Sequence, residues 1–346
     1  MTGLDWLRFY MCLFIAIFHF AVTQGTDNIL FLAIKSSGFY ATSTFFILSG
    51  FILSYVYSSK IIYNTIDKKS FIIKRLSSFY PLHIILQVAF LFLFLLSVFF
   101  LNNIPSTYQN LSQPEIFIYF LRSLFLLHAW DDIILFNQPS WSLSALMFFY
   151  IIFLFSKRLM ITERPFLWLV VIWVLYLIPA LYFYLKPNSF LSYTILHINP
   201  LLRLPEFLSG ILAFNIFNQY KNSINKNIFI LMGLVGALLT ALLVFNYPDV
   251  KILFHNGLVL PFQIALILGC AKITYSSSIS STFGNMSLVI FLVHSLILNI
   301  TEFLFKGINV YFLLAINVFI IILASYIALK LIVKPLQKII RENTLT

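Results

Sequence analysis

The chain has 346 residues, 61% of them hydrophobic and only 10% charged, and its mean hydropathy is +0.97. That balance excludes an ordinary water-soluble globular domain. The net charge of +11 is spread over short loops, so it is a membrane-topology signal and not a nucleic-acid-binding surface.

A helix needs about 20 apolar residues to cross a bilayer. Ten such segments fit, at roughly 9–24, 40–58, 80–101, 141–156, 166–185, 205–218, 227–246, 255–273, 287–305 and 309–333. The predicted fold is therefore all-α: a polytopic membrane protein of about ten transmembrane helices, with residues 1–346 forming one transmembrane domain. The stretch 114–129 is shorter and broken by Arg122, and reads as an interfacial or partly inserted helix. The ten-span arrangement gathers sixteen of the 22 basic residues on one side and leaves Lys35, Arg122, Lys186, Arg203, Lys251 and Lys306 on the other. Positive charge stays inside, so both termini are expected in the cytoplasm and the protein in the inner (cytoplasmic) membrane. Loop 102–140, with Glu115, Asp131 and Asp132, is then the largest external one. The run Ser276–Ser281 is the nearest thing to a polar linker. No cleavable signal peptide is expected, because the first apolar run starts directly after Arg8 without a convincing small-residue cleavage site. Cys12 and Cys270 lie in apolar segments and offer neither a structural disulfide nor zinc spacing, and no metal is expected.

Ionisable groups within spans are costly and tend to be functional. Arg8 and His19 are eleven residues apart, about three helical turns, which places them on one face about 16 Å from each other. Asp5, one turn before Arg8, is placed to pair with it. Arg8 has a plain reading as a headgroup anchor; His19, between Phe18 and Phe20 deep in the span, does not. Histidine is a suitable proton acceptor near neutral pH, and arginine suits a phosphate or a developing oxyanion. Together they point to transfer chemistry on an anionic, phosphate-bearing substrate. No phosphate loop, HExxH or nucleophile elbow is present.

The segment Leu4-Asp5-Trp6-Leu7-Arg8 through His19 resembles the opening of the membrane acyltransferase-3 family, which reads Asp-x-x-Arg, ten residues, then His. Further blocks are similar in order. They are Phe45-Phe46-Ile47-Leu48-Ser49-Gly50-Phe51, Lys74-Arg75 with Tyr80-Pro81, Asn137 with Pro139-Ser140-Trp141-Ser142-Leu143-Ser144, Arg203-Leu204-Pro205-Glu206-Phe207 with Gly210, and Ser287 through His294. Two positions depart from the pattern: Leu146 stands where the family often has glutamate, and Ser78 where it often has a second arginine.

The resemblance implies O-acyl transfer, usually acetyl, from acetyl-CoA or another acyl-CoA to a hydroxyl of an extracytoplasmic carbohydrate. On that reading His19, Arg8 and Asp5 are catalytic. Lys74, Arg75 and Tyr80 hold the acyl-CoA donor. Ser43, Ser49, Asn137, Trp141, Ser142, Arg203, Glu206 and His294 meet the acceptor. Plainer readings stand beside these. Ser49-Gly50 suits close helix packing, Lys74 and Arg75 suit topology anchors and Trp141 suits an interface. Arg203 and Glu206 suit a neutralised pair. His83, His128, His197 and His255 read as interfacial or packing residues. A transporter, or a flippase-like partner in polysaccharide assembly without its own catalysis, is the competing class. O-antigen, exopolysaccharide, capsule, peptidoglycan and small metabolites all remain open as acceptors.

Overall fold

The computed structural model describes residues 1–25, 28–100, 102, 104–186, 193–275 and 277–345. Ser276 and Leu101, at the edges of two predicted segments, lie outside them. Among the described residues the regular structure is entirely helical. The helices are α1 (Thr2–Gln24), α2 (Ile29–Ser37), α3 (Phe39–Ile62), α4 (Lys68–Leu76), α5 (Tyr80–Phe99), α6 (Gln113–Leu124), α7 (Trp141–Phe153), α8 (Lys157–Ile161), α9 (Pro165–Leu185), α10 (Tyr193–Ile198), α11 (Pro200–Tyr220), α12 (Lys226–Asn246), α13 (Lys251–Leu253), α14 (Leu260–Ala271), α15 (Ser278–Leu304), α16 (Val310–Ala328) and α17 (Lys334–Leu345).

Local sequence explains most of the starts. Asn28, Asn199, Asn225 and Asn309 each accept a backbone N–H of the helix they open, and Asp67 does the same for α4. Proline stands at the start of α9 and α11, where its missing N–H has no partner to lose. Glu115 accepts the N–H and the hydroxyl of Ser112, both at 2.7 Å, and closes a capping box on α6. At 12 residues α6 is about 18 Å long, too short to cross the ~30 Å hydrocarbon core. It keeps Phe117 and Ile118 exposed, as the interfacial reading expects.

Among the described residues, eight helical segments are long and apolar enough to span a membrane. The remaining two predicted spans are short, α7 with 13 residues and α14 with 12. Segment 255–273 loses its first turns because Phe254–Leu258 forms a wide π turn and Gly257 adopts φ 140°. Such irregular backbone is tolerated at membrane depth where protein covers it, and Trp173 Nε1 donates to the Gly257 carbonyl at 2.7 Å. The layering follows burial. The most apolar stretches of α9 and α12 are only 11% and 22% buried, so these helices face lipid, whereas the 193–223 segment containing α11 is 72% buried.

The centre is a phenylalanine-rich core in which Phe46, Phe51, Phe149, Phe153 and Phe207 are fully buried. Helix α1 lies along α15 and α3 lies along α11. The second contact depends on two glycines. A Cβ on Gly50 would strike the Phe207 carbonyl oxygen, and one on Gly210 would strike that of Ile47. Close backbone approach through small residues is a standard device in bilayers, and it brings Ser43 of α3 against Arg203 of α11.

Candidate active site

Arg8 opens into a cavity of about 120 Å³ formed by α1, α3, α7, α15 and the end of α4. Its polar lining is Arg8, Ser49, Arg75, Ser78 and Tyr150. Arg75 Nη2 donates to Tyr57 Oη at 3.0 Å, while its buried Nε has no protein partner among the described residues. Asp5 pairs with Arg8 at 4.0 Å, as its spacing predicts, but no carboxylate is among the described residues lining the cavity. Two guanidinium groups in a cavity without a lining carboxylate make a receptacle for an anion such as a phosphate. Both departures from the family pattern, Leu146 and Ser78, line this same cavity.

The other residues expected to hold the donor are engaged elsewhere. Tyr80 Oη donates to the Leu124 carbonyl at 3.0 Å and ties α5 to α6. The Lys74 carbonyl accepts Arg341 Nη2 at 3.2 Å, and the Lys74 side chain is not part of the lining. Ser49, expected beside the acceptor, instead faces the basic cavity with its hydroxyl donating to the Phe45 carbonyl at 2.8 Å.

His19 opens into a second cavity, of about 320 Å³, lined also by Thr42, Gln138, Trp141, Tyr193, His197 and Lys251. Burial lowers the Lys251 amine from its ordinary value. The His19 ring lies 5.1 Å from that of His294. His294 Nδ1 is 3.2 Å from the Ile290 carbonyl, which can only accept, so Nδ1 carries the proton. The buried Nε2 then holds a lone pair with no protein partner among the described residues.

Behind this cavity lies a connected polar cluster. His197 Nδ1 meets His255 Nε2 at 3.0 Å, and Arg203 Nη1 meets the same Nε2 at 3.3 Å. Arg203 Nη2 pairs with Glu206 at 2.8 Å and donates to Ser43 at 2.9 Å. Tyr176 donates to Glu206 at 2.7 Å. Arg203 and Glu206 are fully buried behind the lining, so they orient His255 and His197 and do not themselves line the cavity. His197 thus lines the cavity and His255, fully buried, supports it from behind, an arrangement that no local motif marks. His83 and His128 do pack, against the Ser123 carbonyl at 2.9 Å and Ser140 at 3.0 Å.

Of the polar block before α7, only Trp141 and its neighbours Gln138 and Pro139 reach the cavity. Ser142 donates to the Pro139 carbonyl at 3.0 Å and secures the turn that opens α7, while Asn137 donates to the Leu292 carbonyl of α15 at 3.3 Å and ties that turn to α15. A larger groove of about 470 Å³ between α9, α12 and α14 is lined almost wholly by apolar side chains and offers no group to orient a polar substrate.

The two polar cavities are built back to back on α1, α3, α7 and α15. Phe45 lines the basic one and Phe291 the histidine one, and their rings stack at 5.8 Å with an interplanar angle of 8°. Residues 1–332 match a family described as an acyltransferase domain. The chain belongs to the acyltransferase-3 family. No curated protein and no solved structure matches it. This membrane acyltransferase therefore places its two motif residues, Arg8 and His19, in different cavities at opposite ends of one helical face.

Proposed function

We propose that the protein transfers an acyl group, acetyl in the simplest case, from acyl-coenzyme A to a hydroxyl of an extracytoplasmic carbohydrate such as O-antigen or exopolysaccharide. The observation that carries this reading is the pair of cavities, one basic and one histidine-lined, sharing α1. Phosphates bind beside Arg8 and Arg75, and the thioester reaches along α1 toward His19. The loop charges support a cytoplasmic position for the basic cavity, on the side where acyl-CoA is found, and with it an inner membrane and both termini in the cytoplasm. The wider cavity, with the Trp141 indole and several donors, suits a sugar ring.

In this mechanism His19 takes the proton as the acceptor oxygen attacks the thioester carbonyl carbon. The tetrahedral intermediate collapses, the C–S bond breaks, and the coenzyme A thiolate leaves and is reprotonated. The His294 ring, 5.1 Å from that of His19, brings its unpartnered Nε2 into the neighbourhood of the proton acceptor. Enclosure restrains loss of the acyl group to water.

Mass spectrometry of envelope glycans from cells with and without the protein tests the acceptor: an acyl mass disappears with the protein. Unchanged glycans, with coenzyme A still released, would reject carbohydrate as the acceptor. Arg75→Ala should raise KM for acetyl-CoA about tenfold or more with little change in kcat, since a hydrogen bond to a charged group is worth about 1.5–3 kcal/mol. Coenzyme A release measured against donor concentration checks it, and an unaltered KM would remove Arg75 from the donor site.

A further inference from the structure

The two cavities are separate, and one aromatic pair joins their linings. Phe45 is 6% exposed and Phe291 3% exposed, and their near-parallel stack connects the wall of the basic cavity to that of the histidine cavity. We infer that Phe45 and Phe291 form the barrier that keeps the donor thioester from water until an acceptor fills the histidine cavity. This rests on the acyl-transfer reading above.

Three observations support a positioning role beyond packing. First, the rings belong to different cavities, so parting them joins the cavities, while closing them isolates each. Second, each ring is linked to the lining of the histidine cavity through one buried ring. Phe45 is 6.4 Å from Phe46, which lies edge-on to Trp141 at 5.7 Å; Phe291 is 5.9 Å from His294, which neighbours His19. A sugar settling on Trp141 and His19 is therefore coupled to the stack through Phe46 on one side and His294 on the other. Third, a single offset-stacked pair is a modest contact, so binding is able to part it. The reaction the barrier suppresses is simple. Water attacks the thioester carbonyl carbon, the C–S bond breaks, the thiolate leaves as free coenzyme A after taking a proton, and the acyl group is lost as its carboxylic acid.

The chain carries its own reporter. Cys12 is fully buried on the α1 face between Arg8, which lines the basic cavity, and Ile15, which lines the histidine cavity. With Cys270→Ala, it is the remaining thiol.

The test uses the full chain in membrane vesicles, with Phe45→Ala, Phe291→Ala and the bulk-preserving Phe291→Leu. Acceptor-independent release of coenzyme A from acetyl-CoA should rise several-fold relative to glycan acylation in both alanine variants, and Phe291→Leu should stay near the parent. A water-soluble methanethiosulfonate should label Cys12 several-fold faster in the alanine variants. An unchanged ratio of hydrolysis to transfer, with Cys12 equally protected, would overturn the inference even if both variants lose thermal stability. If the parent turns over no acetyl-CoA, the acyl-transfer reading fails, and faster Cys12 labelling still establishes the barrier while protection refutes it.

Discussion

Replacing His19 with alanine is expected to lower acyl-transfer turnover by about 10²- to 10⁴-fold, the usual contribution of a positioned proton acceptor. The side chain is half-buried and faces an open cavity, so its loss leaves no new buried polar group unpartnered. The variant should therefore remain inserted and folded at the parent's level. His19→Gln separates chemistry from shape: it retains a polar side chain of similar reach, yet cannot take a proton near neutral pH. Glutamine and alanine should fail alike. The measurement is acceptor-dependent release of coenzyme A in vesicles matched for protein content. Full turnover in either variant would exclude His19 as the proton acceptor.

Much of this was legible from the order of residues. The ten apolar segments and the eleven-residue interval from Arg8 to His19 follow from helical geometry alone, and the structure places both side chains in cavities on one face of α1. The interval did not reveal that the two open into separate cavities, because Phe45 and Phe291 meet only through tertiary packing. His197 and His255, 58 residues apart, were illegible for the same reason. Ser142 and Asn137 misled in the opposite direction. Polar side chains at the start of a short buried helix read like a binding patch, yet backbone carbonyls of the preceding turn and of α15 claim them first. The place of Leu146 was illegible as well: it lines the basic cavity with Arg8 and Arg75 and not the histidine cavity, so a carboxylate at that position would stand beside the two guanidinium groups.

The second large effect concerns Arg203, which shares the buried cluster with Glu206, Ser43 and His255. Arg203→Met fills similar volume but leaves the Glu206 carboxylate buried beside Tyr176 with its cation gone. Breaking one partner of a buried pair in this way costs about 3–5 kcal/mol, a large share of the 5–15 kcal/mol by which folded proteins commonly hold together. Arg203→Met should consequently lose most of its folded, detergent-extractable protein, read by size-exclusion chromatography and thermal unfolding. Arg203→Met combined with Glu206→Gln removes both charges and should recover much of that stability. The recovered double variant then isolates the cluster's other role. His255 loses the guanidinium that holds it, so His197 is no longer fixed at the cavity wall, and acylation should stay depressed while KM for acetyl-CoA is unchanged. Equal thermal stability in the single variant and the parent would show that the pair does not hold α11 against α3. A double variant with full acylation would show that the fixed position of His197 is irrelevant to the acceptor.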